Sequence, residues 1–184
     1  ASKLRALLWH RSIAMAQGER FDQNGLIRKM IRRLQKAQNE DGGWSWWPSG
    51  KSRLWISYHA AEALIEAEKA GFEVNFKRKM LQDWLTYERV AFGLLNQIRC
   101  LKLLHTLGAK LDYQTPLEKL DSTIAKSNNP RYLAELFSLK QQLNLEVDLD
   151  SLMAMQQQTL FGNLYWGEER YHVTENAVQT TVTV

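Results

Sequence analysis

Apolar residues recur at three- and four-residue spacings along nearly the whole chain, and glycine or proline interrupts them at short intervals. Such a rhythm predicts short amphipathic helices joined by tight turns. Leu4, Leu7, Leu8, Ile13 and Met15 predict a first helix ending near Gly18. Asn24 is the expected cap of a second, in which Leu26, Ile27, Met30, Ile31 and Leu34 recur on one face. A third spans about Ser52 to Ala70, with Trp55, Ile56, His59, Ala63, Leu64 and Ala67 as its expected buried face. Phe76 to Tyr87 is the fourth, turning Met80, Leu81, Trp84 and Leu85 inward, and Ala91 to Leu107 is the fifth. Thr115 and Asn129, each followed by proline, predict capped helices reaching about Lys126 and Leu143. Asp148 or Asp150 caps one more, through Gln158. Thr180 to Val184 is β-branched and alternating, yet it has no partner strand in the sequence, so a frayed or truncated helix is expected there. The expected class is all-α.

Composition narrows the field. The 184 residues fit one domain, residues 1–184, with room for a sizeable core. At 45% hydrophobic and 24% charged residues the chain is ordinary for a folded globular protein. No apolar run is long enough to span a membrane, so no direct membrane insertion is expected. No signal peptide is read in Ser2 to Trp9, because Arg11 follows at once without a small-residue cleavage site. The start at Ala1 and the uncapped end are read as those of a piece of a longer chain. The net charge of +4 comes with basic groups at Arg28, Lys29, Arg32 and Arg33 and at Lys77, Arg78 and Lys79. These read as solvated helix faces, with no groove-reading motif and no nucleic-acid partner.

A repeat runs inside the chain. Leu34 to Gln38 leads into Gly42, Gly43 and Trp44, and a helix follows from Ser52; Met153 to Gln158 leads into Tyr165, Trp166 and Gly167, and a helix is expected after Thr174. Each unit reads helix, glycine–aromatic loop, helix. Glycine lets the backbone turn sharply, and the aromatic ring plugs the gap between the helices. Trp44, Trp46, Trp47 and Trp55 make four of the seven tryptophans within twelve positions. A buried indole contributes on the order of 4–6 kcal/mol as an upper bound. Packing is the expectation for Trp44; for Trp46 and Trp47 a ligand platform for sugars or cations stands beside it.

These residues carry a resemblance. Leu34-Gln35, Asp41-Gly42-Gly43-Trp44-Ser45-Trp46-Trp47-Pro48, Ser52, Trp55-Ile56, Ala63-Leu64 and Ala70-Gly71-Phe72 resemble the thioester-containing region of bacterial alpha-2-macroglobulins. Tyr165-Trp166-Gly167 and Thr174-Glu175-Asn176-Ala177-Val178-Gln179-Thr180-Thr181 are similar to a later part of that region. The resemblance covers about residues 25 to 184. It implies an α/α toroid of helical hairpins, related to complement thioester domains and terpene cyclases. It further implies one module of a large periplasmic, cell-envelope or extracellular chain that traps proteases. Implied partners are the other domains of the parent chain and a protease. A thioester needs glutamine three residues after its cysteine, and Cys100 is followed by Leu101-Lys102-Leu103, so this chain lacks the motif.

Other chemistry finds little support. The single cysteine excludes an internal disulfide and any multi-cysteine metal site, and an apolar helical setting makes it a buried thiol. Cys100 and His105 are five apart, about 140° around a helix, too divergent for a shared metal. Asp148-Leu149-Asp150-Ser151 falls short of a cyclase acid motif and reads as a helix cap. Among the four histidines, His10, His59, His105 and His172, His59 with Glu62 could form an orienting pair, although a hydrogen-bonded structural role is the plainer reading. Glu168-Glu169-Arg170 reads as a solvated loop, and Glu175 as a cap or bridge of the final helix. The expectation is a noncatalytic module without cofactor or metal, whose notable positions are Gly42, Gly43, Trp44, Trp46, Trp47, Trp55, Tyr165 and Trp166. The alternative is a toroid-fold enzyme or carbohydrate-binding module using the loop from Trp44 to Trp47. Rings closing a concave pocket with two or more acids favour that alternative; rings plugged between helices disfavour it.

Overall fold

A computed structural model describes residues 1–167 and 177–183. The expectations for His172, for Glu168-Glu169-Arg170 and for Thr174 to Asn176 lie outside the described residues. The fold is all-α, with one small pair of strands. Two compact units divide the chain, the first being Ala1–Arg89 and the second starting at Val90.

In the first unit, α1 (Ser2–Ala16) packs on α2 (Asn24–Lys36) and α3 (Leu54–Lys69), which also pack on each other. Leu4, Leu7 and Leu8 of α1 meet a core that includes Ile27 and Ile31 of α2. The buried face of α3 is built of small residues, Ser57, Ala60, Ala61, Ala63 and Ala67, around Leu64. Short side chains let neighbouring helices approach closely without leaving voids. Ala63, Leu64 and Ala67 are buried as expected, whereas Ile56 and His59 are only half-buried. Trp55, expected inside, points to solvent. The fourth helix, α4 (Arg78–Glu88), buries Leu81 and Leu85 as expected, whereas Met80 is exposed. Boundaries shift as well: the first helix ends at Ala16, and the helix expected from Phe76 begins at Arg78. The helix expected from Ser52 begins at Leu54, because Ser52 is held in the loop by Asn39 and Asp41. Asn24 does not act as a cap: it is the first helical residue, and its Oδ1 is buried without a hydrogen-bond partner.

The second unit centres on α7 (Pro130–Gln142), which packs against α5 (Leu94–Thr106), α6 (Gln114–Ser127) and α8 (Leu149–Met153). One face of α7 gives Leu136 and Leu139 to a cluster with Ile98, Leu101, Leu117, Leu120 and Ile124. Another gives Ala134 and Phe137 to a cluster with Leu152 and Trp166. Asn129 caps α7 as expected, its side chain accepting from the backbone of Arg131 and Tyr132, with Pro130 at the first position. Thr115 does not cap α6; it lies inside the helix, and Asp112, one residue before the cap position Tyr113, accepts from Gln114 N at 2.9 Å and from the Thr115 hydroxyl at 2.6 Å. Asp148 caps α8 by accepting from Asp150 N at 3.1 Å.

Helix α8 stops at Met153 instead of running to Gln158. The chain turns there and forms an unexpected antiparallel pair, β1 (Gln157–Gln158) with β2 (Leu164–Tyr165). Gly162, at φ +83°, closes its hairpin. Thr180 to Thr183 are helical, as expected, within α9 (Ala177–Thr183), which packs on α7 and β2; Val184 lies outside the described residues.

Candidate functional site: two tryptophan corners and an aromatic strip

The loop between α2 and α3 is fixed by its own polar side chains. Asp41 Oδ1 accepts from Gly43 N at 2.9 Å and from the Ser52 hydroxyl at 2.7 Å. Asn39 Nδ2 donates to the carbonyl of Gly50 and to Ser52 Oγ. The buried Gln38 donates to Gly42 O at 2.7 Å and accepts from Lys77 N at 2.7 Å, tying the loop to the start of α4. Gly42 has φ +85°, and a Cβ there would overlap the backbone of Met80 and Leu81. A Cβ on Gly43 would overlap the side chain of Ser52. Both glycines are therefore demanded by close approach, and Gly42 also by its left-handed backbone.

Trp44 is 2% exposed. Its ring lies 6.1 Å from that of Phe76. Its indole Nε1 donates to Leu34 O at 2.8 Å, near the end of α2, and its backbone N donates to Ser57 Oγ at 2.8 Å, on α3. One residue thus bonds both helices it separates. Trp166 repeats the pattern in the second unit. Its Nε1 donates to Leu152 O at 2.8 Å, near the end of α8, and its backbone N donates to Thr181 Oγ1 at 3.0 Å, on α9. Even the accepting carbonyls match, since Leu34 O and Leu152 O each also accept from the backbone three residues on, at Ala37 and Met155. Carbonyls in a last helical turn lack the regular donor four residues on, and here a three-residue backbone bond and the indole share its place.

The other tryptophans of the loop behave differently. Trp46, Trp47 and Trp55 are 67%, 79% and 57% exposed. Trp46 stacks on Trp55 with ring centroids 5.5 Å apart and planes 25° from parallel. His59 meets Trp55 edge to face at 4.7 Å. Glu62 Oε2 lies 3.8 Å from His59 Nδ1, which makes the expected orienting pair a loose one. Arg5 of α1 reaches across to Glu62 at 3.4 Å and to Glu66 at 2.8 Å. Its guanidinium, hydrogen-bonded to Glu66 and beside both carboxylates, holds its proton more firmly than an ordinary arginine. Trp55, His59, Glu62 and Glu66 follow the spacing i, i+4, i+7, i+11, which places them on one stripe of α3.

Among the expected positions, Gly42, Gly43 and Trp44 meet in the first corner. Tyr165 lies on β2 beside Trp166 of the second. Trp46 and Trp55, both exposed, form a strip with the half-buried His59 and Glu62. Trp44 and Trp166 plug helices, the outcome that disfavours the alternative; Trp46 and Trp55 meet neither expected outcome, since they face solvent on an open stripe beside two acids and close no concave pocket. Ser57, Thr181, Arg5 and Glu66 complete the two arrangements and were not singled out from sequence. Ser57 had a signal, a lone hydroxyl on an alanine-rich buried face. Arg5 had none, since it is 57 residues from Glu62.

Elsewhere, Cys100 is fully buried, as expected. His105 packs edge to face on Tyr113, and His10 on Phe21. No group of three metal-ligating side chains occurs among the described residues, and no helix among them is long and apolar enough to cross a membrane. No family model, curated protein or solved structure matches the chain.

Proposed function

We propose that this chain is a noncatalytic helical module of a large alpha-2-macroglobulin-like protein of the cell envelope or extracellular space, one that traps proteases. The observation that carries the reading is the doubled corner. Trp44 and Trp166 each join the end of one helix to a hydroxyl on the next, through the same pair of donors. Serial helical hairpins plugged in this way suit an α/α toroid, the fold that the resemblance implies. In this reading the module's work is to hold shape and contact other domains of its parent chain. Cys100 fits that role, being fully buried and lacking a glutamine three residues on.

The test is a trapping assay on the parent chain carrying this module. A serine protease mixed with it should lose activity on a protein substrate while keeping activity on a small peptide, because a trapped enzyme is shielded and not blocked. Equal inhibition of both substrates, or of neither, would overturn the reading.

A further inference from the structure

We propose that the strip made by the exposed Trp46 and Trp55 with the half-buried His59 and Glu62 is a binding platform for a neutral polysaccharide built of pyranose rings with mainly equatorial hydroxyls. Such a sugar has two aspects. Axial C–H groups make its faces apolar, and the hydroxyls make its edge polar. The strip offers a match to both. Trp46 and Trp55, stacked at 5.5 Å, expose indole surface that a sugar face can cover. His59 and Glu62 lie further along the same stripe, within reach of the hydroxyl edge. From Trp55 to Glu66 the stripe runs about 16 Å along α3, longer than one sugar ring, so an oligomer is the fitting ligand.

The geometry disfavours the other ligands that exposed tryptophans attract. An ammonium group needs ring faces converging on a gap, and Trp46 and Trp55 lie against each other with no gap between them. The carboxylates that would neutralise such a cation are engaged by Arg5. A lipid surface would strip water from the Arg5, Glu62 and Glu66 cluster beside the rings. A neutral, hydroxyl-rich chain meets none of these penalties.

The experiment is native gel electrophoresis of the whole chain through gels containing hydroxyethylcellulose, with cellohexaose and N-acetylchitohexaose titrations followed by tryptophan fluorescence. Retardation and a blue shift are expected. Trp46→Ala or Trp55→Ala should weaken binding about five- to tenfold. Both rings are exposed, so the urea midpoint should stay unchanged, and Tyr87→Ala, exposed on α4, should bind as the parent protein does. Absence of retardation and of any spectral change, binding that survives both tryptophan substitutions, or binding only to vesicles containing phosphatidylglycerol would overturn the proposal. The outcome is separate from that of the trapping assay. A chain that binds sugar but shields no protease overturns only the trapping reading, and a trap blind to sugar overturns only this one.

Discussion

The backbone nitrogen of Trp44 donates to the hydroxyl of Ser57, thirteen residues on, at 2.8 Å. Both groups are buried. That bond ties the loop to α3, while the indole of the same residue ties it to α2. The loop's shape therefore depends on a few atoms, and their removal has calculable consequences.

Trp44→Ala should destabilise the protein by roughly 3–5 kcal/mol, through lost burial and the cavity left behind. Trp44→Phe keeps most of the packing but leaves Leu34 O without the indole donor, for a smaller cost of about 1–2 kcal/mol. Urea unfolding curves of the two variants measure both. Equal midpoints for Trp44→Ala and the parent protein would refute the packing role.

Ser57→Ala should cost about 1–3 kcal/mol, because a buried backbone donor loses its partner. Thr181→Val, nearly isosteric, should cost a similar amount in the second unit, where Trp166 N donates to that hydroxyl. Thermal melts of the single variants give the comparison. Ser57→Thr should restore part of the loss if the hydroxyl is what matters.

Gly42→Ala and Gly71→Ala form a matched pair. Both glycines have φ near +85°. A Cβ at Gly71 would meet nothing within 4 Å, so only the backbone penalty of about 1–2 kcal/mol applies. At Gly42 the Cβ would also strike the start of α4, adding about 1–3 kcal/mol. Chemical denaturation should rank Gly42→Ala clearly below Gly71→Ala.

Glu135 is the acid to test in the second unit. It is nearly buried on α7, between Arg99 at 3.3 Å and Lys102 at 3.2 Å, and Lys102 also donates to Ser138. Glu135→Ala leaves two half-sheltered cations facing each other and should cost about 2–4 kcal/mol. Arg5→Ala breaks a more exposed pair of bridges and should cost under about 1 kcal/mol. Comparable losses in the two variants would contradict this ranking.

The all-α class was legible because apolar spacing and glycine stops repeat along the chain, and the Asn129–Pro130 start of α7 was legible in detail. The doubled corner was legible in outline, from Trp44 and Trp166 each flanked by glycine. Its bonding was not, because a hydroxyl partner such as Thr181 looks like any surface threonine in sequence. Trp55 was misplaced for a physical reason: periodicity ranks residues by hydrophobicity, and α3 instead buries the alanines that let its neighbours come close. The end of α8 was missed because polar residues from Gln156 to Gln158 carry no signal for a turn that the indole of Trp166 stabilises from a distance.

The central claim is that two tryptophans wedge the helical hairpins while the loop's other indoles face solvent. Indole N–H hydrogen exchange, resolved by NMR and assigned with single Trp→Phe variants, tests it directly. Trp44 and Trp166 should exchange far more slowly than Trp46, Trp47 and Trp55. Fast exchange at Trp44 and Trp166, matching the exposed three, would contradict the account.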